Sequence, residues 1–207
     1  MTIEGIDFSG KSTLARNLET YLADLNVPPF FTREPGGTPA AEGIRQLLLA
    51  PELEMDPWTE VYLYAAARSD LVRREILPRL ENGQVVICDR FLDSSLAYQG
   101  VGRGLGLDAV RGLNACAVGE VVPDLTFYLR LSPSERKRRA RESGALPDRI
   151  EKVGDDFMRR VEEGFEQISC SEPDRVRVLD ASLPPEELAQ IVACEIRDLQ
   201  YARESGV

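Results

Sequence analysis

Residues 5–12 read Gly-Ile-Asp-Phe-Ser-Gly-Lys-Ser, a G-x-x-x-x-G-K-S pattern in which every fixed position has a chemical task. The glycines let backbone N–H groups curl around phosphate oxygens. The lysine reaches the β- and γ-phosphates of a nucleoside triphosphate, and the serine offers its hydroxyl to Mg²⁺. Gly5, Ile6, Asp7, Phe8, Ser9, Gly10, Lys11, Ser12 and Thr13 are therefore the expected ATP-phosphate cradle, with Lys11 a catalytic candidate. A second pair, Asp89-Arg90, follows the apolar run Val85-Val86-Ile87-Cys88. A carboxylate at the carboxyl end of such a strand can organise Mg²⁺ beside Ser12, and the neighbouring guanidinium can bridge two phosphate oxygens.

Further arginines, Arg33, Arg68 and a cluster from Arg136 to Arg149, fall in segments that would face this loop. Transfer between two phosphate-bearing nucleotides spreads charge over several oxygens and needs such cations. Within the cluster, Arg136, Lys137 and Arg138 read as a solvated helix face. Arg141 and Arg149 flank Ser143-Gly144-Ala145-Leu146-Pro147, and the stretch from about 136 to 150 reads as a lid. The chain has no histidine, which excludes imidazole-based schemes, and it has no N-K-x-D tetrapeptide to specify guanine.

Positioning these groups requires alternating strands and helices. Thr2-Ile3-Glu4 predicts the end of a buried strand, and Leu14, Leu18, Leu22 and Leu25 mark one face of a helix running from Lys11 to Leu25. Phe30-Phe31-Thr32 reads as a short strand entering the loop Arg33-Glu34-Pro35-Gly36-Gly37-Thr38. Helical patterns follow through Ile44, Leu47 and Leu48, over Trp58 to Leu80, over Asp108 to Val118, near 133–143, near 150–168 and near 185–199. Continuous apolar runs at Val85–Cys88 and Leu125–Leu131, with a strand near 175–180, complete a doubly wound α/β arrangement with five parallel strands.

A length of 207 residues, 43% hydrophobic and 29% charged, suits one domain, with no compositional break. The net charge of −10 argues against a nucleic-acid polymer as partner but permits a small anion held locally. No apolar run approaches the ~20 residues that span a bilayer, so no membrane role and a cytoplasmic location are expected. The cysteines at 88, 116, 170 and 194 are too scattered for a metal site and read as reduced, mostly buried thiols.

Several segments together resemble the bacterial thymidylate kinases of the P-loop NTPase fold. They are Ile3-Glu4-Gly5-Ile6-Asp7 with the phosphate loop, Thr32-Arg33-Glu34-Pro35-Gly36-Gly37-Thr38, Ala65-Ala66-Ala67-Arg68, Asp89-Arg90-Phe91 running to Ser94-Ser95-Leu96-Ala97-Tyr98-Gln99-Gly100, Pro123-Asp124-Leu125-Thr126 and Asp148-Arg149-Ile150-Glu151. The resemblance implies transfer of the γ-phosphate of ATP to dTMP, giving dTDP, with Mg²⁺ and as a homodimer. By position it implies that Arg33 holds the acceptor phosphate, Tyr64 stacks on thymine, and Arg68, Ser95 and Gln99 contact the base. It further implies that Tyr98 crowds the 2′ position and that Asp7 lies near the sugar and the acceptor phosphate, among the catalytic residues. Some members carry an arginine within the phosphate loop. Here Phe8 holds that position, so the resemblance is to members that supply the cation from the lid, with Arg149 preferred for catalysis and Arg141 for the donor side. Three alternatives stay open on the residues alone: a deoxynucleoside kinase, another nucleoside monophosphate kinase, and a non-catalytic nucleotide-binding subunit.

Overall fold

The computed structural model describes residues 1–23, 28–144 and 148–205. Five parallel strands form one sheet in the order β2-β3-β1-β4-β5, with β1 spanning Thr2–Glu4, β2 Phe30–Arg33, β3 Val86–Asp89, β4 Thr126–Arg130 and β5 Val176–Asp180. The central strand β1 is three residues long and fully buried. Its register sets Ile3 against Asp89 on one side and Phe127 on the other. Arg33 at the end of β2 pairs with Asp89 at the end of β3, so the residues singled out by their chemistry share the carboxyl edge of the sheet. Open α/β sheets bind ligands at that edge.

Helices cover both faces. On one, α1 (Lys11–Tyr21) packs against α9 (Pro185–Ser205). On the other lie α3 (Pro57–Leu71), α6 (Leu107–Val118) and α8 (Asp155–Ser171), with α2 (Pro39–Leu49) against α3. Tyr128 of β4 stacks on Phe165 of α8 with ring centroids 5.0 Å apart, and Tyr98 meets the same ring edge-on at 6.2 Å. The starts of three helices follow from local chemistry. Thr38, Asp56 and Ser132 accept hydrogen bonds from the first turns of α2, α3 and α7 (Pro133–Ser143), each with proline at its start.

Several expectations are corrected. The first helix is described only to Tyr21, with Leu22 as its cap, and Leu25 lies outside the described residues. The Trp58–Leu80 pattern divides into α3, a π-helical turn (Val72–Ile76) and α4 (Leu77–Glu81). Similarly, α5 (Leu92–Ser95) continues as a π-helical stretch, Leu96–Gly102, that no periodicity announced. The pattern near 150–168 is interrupted because Gly154, at φ 108°, separates a 3₁₀ turn (Glu151–Val153) from α8. Only Cys88 is buried; Cys116, Cys170 and Cys194 are exposed, because each lies on an outer face of α6, α8 or α9. Of the expected lid, Ala145–Pro147 lie outside the described residues.

The π-helical stretch is seated by glycine. A Cβ added at Gly164 of α8 would lie 2.9 Å from Ala97 Cα and 3.1 Å from Val101 Cβ. Gly164→Ala is expected to destabilise the protein by about 1–3 kcal/mol through overpacking, read as a lower midpoint in urea denaturation; an unchanged midpoint would show that this contact yields.

Candidate active site

The phosphate loop is shaped by close approach. Gly5, at φ 143°, places its missing Cβ 2.8 Å from the Leu129 carbonyl oxygen, so no larger residue fits there. Gly10, at φ 98°, caps α1 with no side-chain bond, leaving the first-turn N–H groups of that helix for an anion. Phe8 holds the left-handed conformation at φ 67°, which is uncommon for a bulky residue, and Arg90 does the same at φ 69°. Lys11 Nζ donates to the Ile6 carbonyl at 3.0 Å, folding the ammonium into the loop. Burial, then the Arg90 charge, pushes its pKa down to about 8.

Around the loop the expected groups converge. Ser12 Oγ donates to Asp89 Oδ2 at 2.9 Å. Arg90 pairs with Asp7, and donates to the Gly5 carbonyl at 2.8 Å. Burial alone would raise the Asp7 carboxyl, but Arg90, Lys11 and Arg136 together hold it below its usual range. One cavity of about 200 Å³ joins this set to a second. Asp7, Lys11, Ser12, Asp89 and Arg90 line it together with Arg33, Tyr64, Ser95, Tyr98 and Gln99. The Arg90 guanidinium lies 5.2 Å from the Tyr98 ring centroid, which ties the two sets together. Arg33 stands exposed and paired to Glu42 at 2.9 Å.

Arg68 is placed differently. It is 1% exposed and lies beneath the cavity. Its Nε and Nη2 reach Glu34 Oε2 at 2.8 and 2.6 Å, Nη1 donates to Ser95 Oγ at 3.0 Å and to Asn114 Oδ1, and Nη2 donates to the Phe91 carbonyl at 3.0 Å. Burial raises the Glu34 carboxyl despite this partner. Glu34 and Asn114 gave no sign of this role in the sequence.

Glu60 is a further residue that sequence reasoning missed. Fully buried on α3, it accepts from Gln99 Nε2 at 2.8 Å, Arg103 Nη2 at 2.8 Å and Arg149 Nη1 at 2.7 Å. Burial would raise its carboxyl, but these donors hold it low. Its only sequence signal is helical spacing, since it stands one turn before Tyr64 and two before Arg68.

The lid cations are arranged unlike the expectation. Arg149 is 8% exposed, bonded to Glu60 and, through Nε, to the Leu48 carbonyl at 2.7 Å, and its charge acts on Tyr64. Arg141 is exposed on α7. The arginine that touches the loop is Arg139, whose Nη1 lies 3.3 Å from the Phe8 carbonyl oxygen and whose Nη2 donates to the Ala181 carbonyl at 2.7 Å. Arg136 corrects the reading of a solvated face: its side chain is 14% exposed, against 48% for Lys137 and 57% for Arg138, because α7 turns that side toward the loop and α8.

Residues 3–192 match the family model described as thymidylate kinase. A thymidylate kinase of Chlorobaculum tepidum is 44% identical, with 95% of each chain covered. One of Symbiobacterium thermophilum is 48% identical over all of this chain and 96% of its own. Among solved structures, a thymidylate kinase from Ehrlichia chaffeensis superposes with a TM-score of 0.73 at 33% identity, covering 96% of both chains.

The Arg68 network generates a stability test. Arg68→Met leaves Glu34 buried without its cation and is expected to cost about 3–5 kcal/mol, measured by urea denaturation. Adding Glu34→Gln should recover part of that loss; no recovery would show that the pairing is not what holds these segments.

Proposed function

The chain belongs to the thymidylate kinase family, phosphotransferases that make dTDP from dTMP with ATP, and from that membership we propose how its cavity divides between the two nucleotides. The loop from Gly5 to Thr13 holds the ATP phosphates. The part of the cavity lined by Arg33, Tyr64, Ser95, Tyr98 and Gln99 holds dTMP, with Tyr64 offering a flat face for the base. The carrying observation is that a single cavity is lined both by Asp7, Lys11 and Ser12 of the phosphate loop and by arginine, amide and hydroxyl groups suited to a second, phosphate-bearing nucleotide.

In the reaction an oxygen of the acceptor phosphate attacks the γ-phosphorus of ATP in line. The bond from that phosphorus to the β–γ bridging oxygen breaks, and ADP leaves with the electron pair. Lys11 and Arg90 neutralise the transferring group. No general base is needed, since the acceptor is already anionic, and Asp7, fixed by Arg90, orients it. The Ser12 hydroxyl and Asp89 carboxylate, both oxygen donors 2.9 Å apart beside the loop, fit a Mg²⁺ ion that keeps phosphate and water ligands. Bound there, Mg²⁺ would supply charge neutralisation at the β- and γ-phosphates. Arg68 supports Ser95 from below, and α7 with the segment to about residue 150 acts as the lid, with Arg141 on the donor side and Arg149 closing on the acceptor.

The family's homodimer and a cytoplasmic location belong to the same proposal. The exposed pair Trp58 and Tyr62 on α3, with centroids 6.2 Å apart, offers apolar surface for a second copy. No described helix is long and apolar enough to cross a membrane.

A coupled assay with ATP and dTMP, dUMP, dCMP or dGMP should give turnover with dTMP foremost. Arg33→Ala should raise KM for dTMP by about tenfold or more with a smaller change in kcat. An unchanged KM would remove Arg33 from the acceptor phosphate.

A further inference from the structure

Phe8 leaves the phosphate loop with no cation of its own but Lys11, and the arginines expected to compensate make no bond to it: Arg149 gives Nη1 to Glu60 and Nε to the Leu48 carbonyl, with Nη2 buried and unpartnered away from any loop contact, and Arg141 is exposed. The face of α7 that does reach the loop carries Arg139 and, one turn earlier, Arg136. Their roles differ in how their donors are used. Arg139 spends its guanidinium on Glu135 at 3.0 Å, the Phe8 and Ser9 carbonyls at 3.3 and 3.5 Å, and the Ala181 carbonyl at 2.7 Å. It is a clamp that docks α7 on the loop, with its charge turned to carbonyl oxygens.

That clamp fixes where Arg136 stands, since residues three apart on a helix have Cβ atoms about 5–6 Å from each other. Arg136 is largely buried, yet of a guanidinium's five donors it commits one, Nη2 to Asp155 at 3.0 Å. Its Nε is buried without any hydrogen-bond partner. Asp155 is a loose anchor: it is 67% exposed and already shared with Lys137 at 2.7 Å. The Arg136 charge is felt at Asp7 on the loop and at Glu162 of α8. A half-buried cation whose Nε is covered and unpartnered, on the helix that Arg139 docks against the loop, is placed to receive an anion.

Resting on the reading of the cavity as an ATP and dTMP site, we infer that Arg136 is the lid cation that contacts the transferring phosphoryl group, in the role expected of Arg149. When ATP and dTMP are both bound, the guanidinium donates to oxygens of the group in transfer, and Asp155 keeps Lys137. Arg149 instead acts on the acceptor pocket through Glu60.

Steady-state kinetics on the full chain with ATP, Mg²⁺ and dTMP separates the two arginines. Arg136→Met, which keeps an unbranched apolar stem and removes the guanidinium, is expected to lower kcat by about tenfold or more with KM for dTMP little changed. Arg136→Lys should retain part of the rate, and added guanidinium ion should restore part of kcat to Arg136→Ala, which a packing defect would not show. Arg149→Ala should chiefly raise KM for dTMP. Thermal melting of each variant identifies loss of fold, and if Arg136→Met does not fold, Arg136→Lys and the guanidinium rescue decide. Full kcat in a folded Arg136→Met, or loss of kcat confined to Arg149→Ala, overturns the inference alone. Failure of the wild type to phosphorylate any nucleoside monophosphate overturns the cavity reading and the inference with it.

Discussion

The buried guanidinium of Arg68 holds together segments that are distant in the chain. It joins Glu34 at the end of β2, Phe91 and Ser95 after β3, and Asn114 of α6 to its own helix, α3. A cation taken this far from water persists only when its donors are satisfied and a counter-charge is present. Here both conditions fix geometry. Glu34 must follow Arg33 out of the strand, and Ser95 must close α5 just before the π-helical stretch, or the guanidinium is left unsatisfied. The wall of the cavity is therefore registered from beneath by a residue that does not line it.

Much of the frame was legible in the sequence because period and punctuation carry it. Val86-Ile87-Cys88 is apolar without alternation, as a strand covered on both faces must be, and Leu14 and Leu18 recur at helical spacing on the buried side of α1. The phosphate loop was legible for a different reason: its glycines are required by close backbone approach, which is a local property. The π-helical stretch at Leu96–Gly102 was not legible, since one extra residue per turn leaves no periodic trace over so short a span. Nor were the buried carboxylates. Glu34 and Glu60 look like surface residues until the arginines that neutralise them arrive from elsewhere in the chain.

The arginines of the expected lid show the same limit. A run such as Arg136, Lys137, Arg138 and Arg139 has one helical face turned to protein and another to solvent, and only the docking of α7 decides which residues lie on each. The side chain at 136 is largely covered while its two neighbours stand in water. Sequence context favoured Arg149 for its Asp-Arg-Ile-Glu setting, whereas the fold gives that guanidinium to a carboxylate on α3.

The Glu60 carboxylate has one more consequence. It serves Gln99, which lines the cavity, and Arg149 at once, with Arg103 as a third donor. Gln99 is held by Oε1 and Arg149 by Oε2, so a ligand that draws the Gln99 amide toward itself acts on the carboxylate that holds Arg149, and an event that repositions Arg149 acts on the carboxylate that holds Gln99. Linkage makes such an effect reciprocal: whatever factor one nucleotide applies to the affinity of the other is returned in full. If two substrates were coupled through this carboxylate, the order of filling would leave the total binding free energy unchanged and the coupling would decide which intermediate complex is populated.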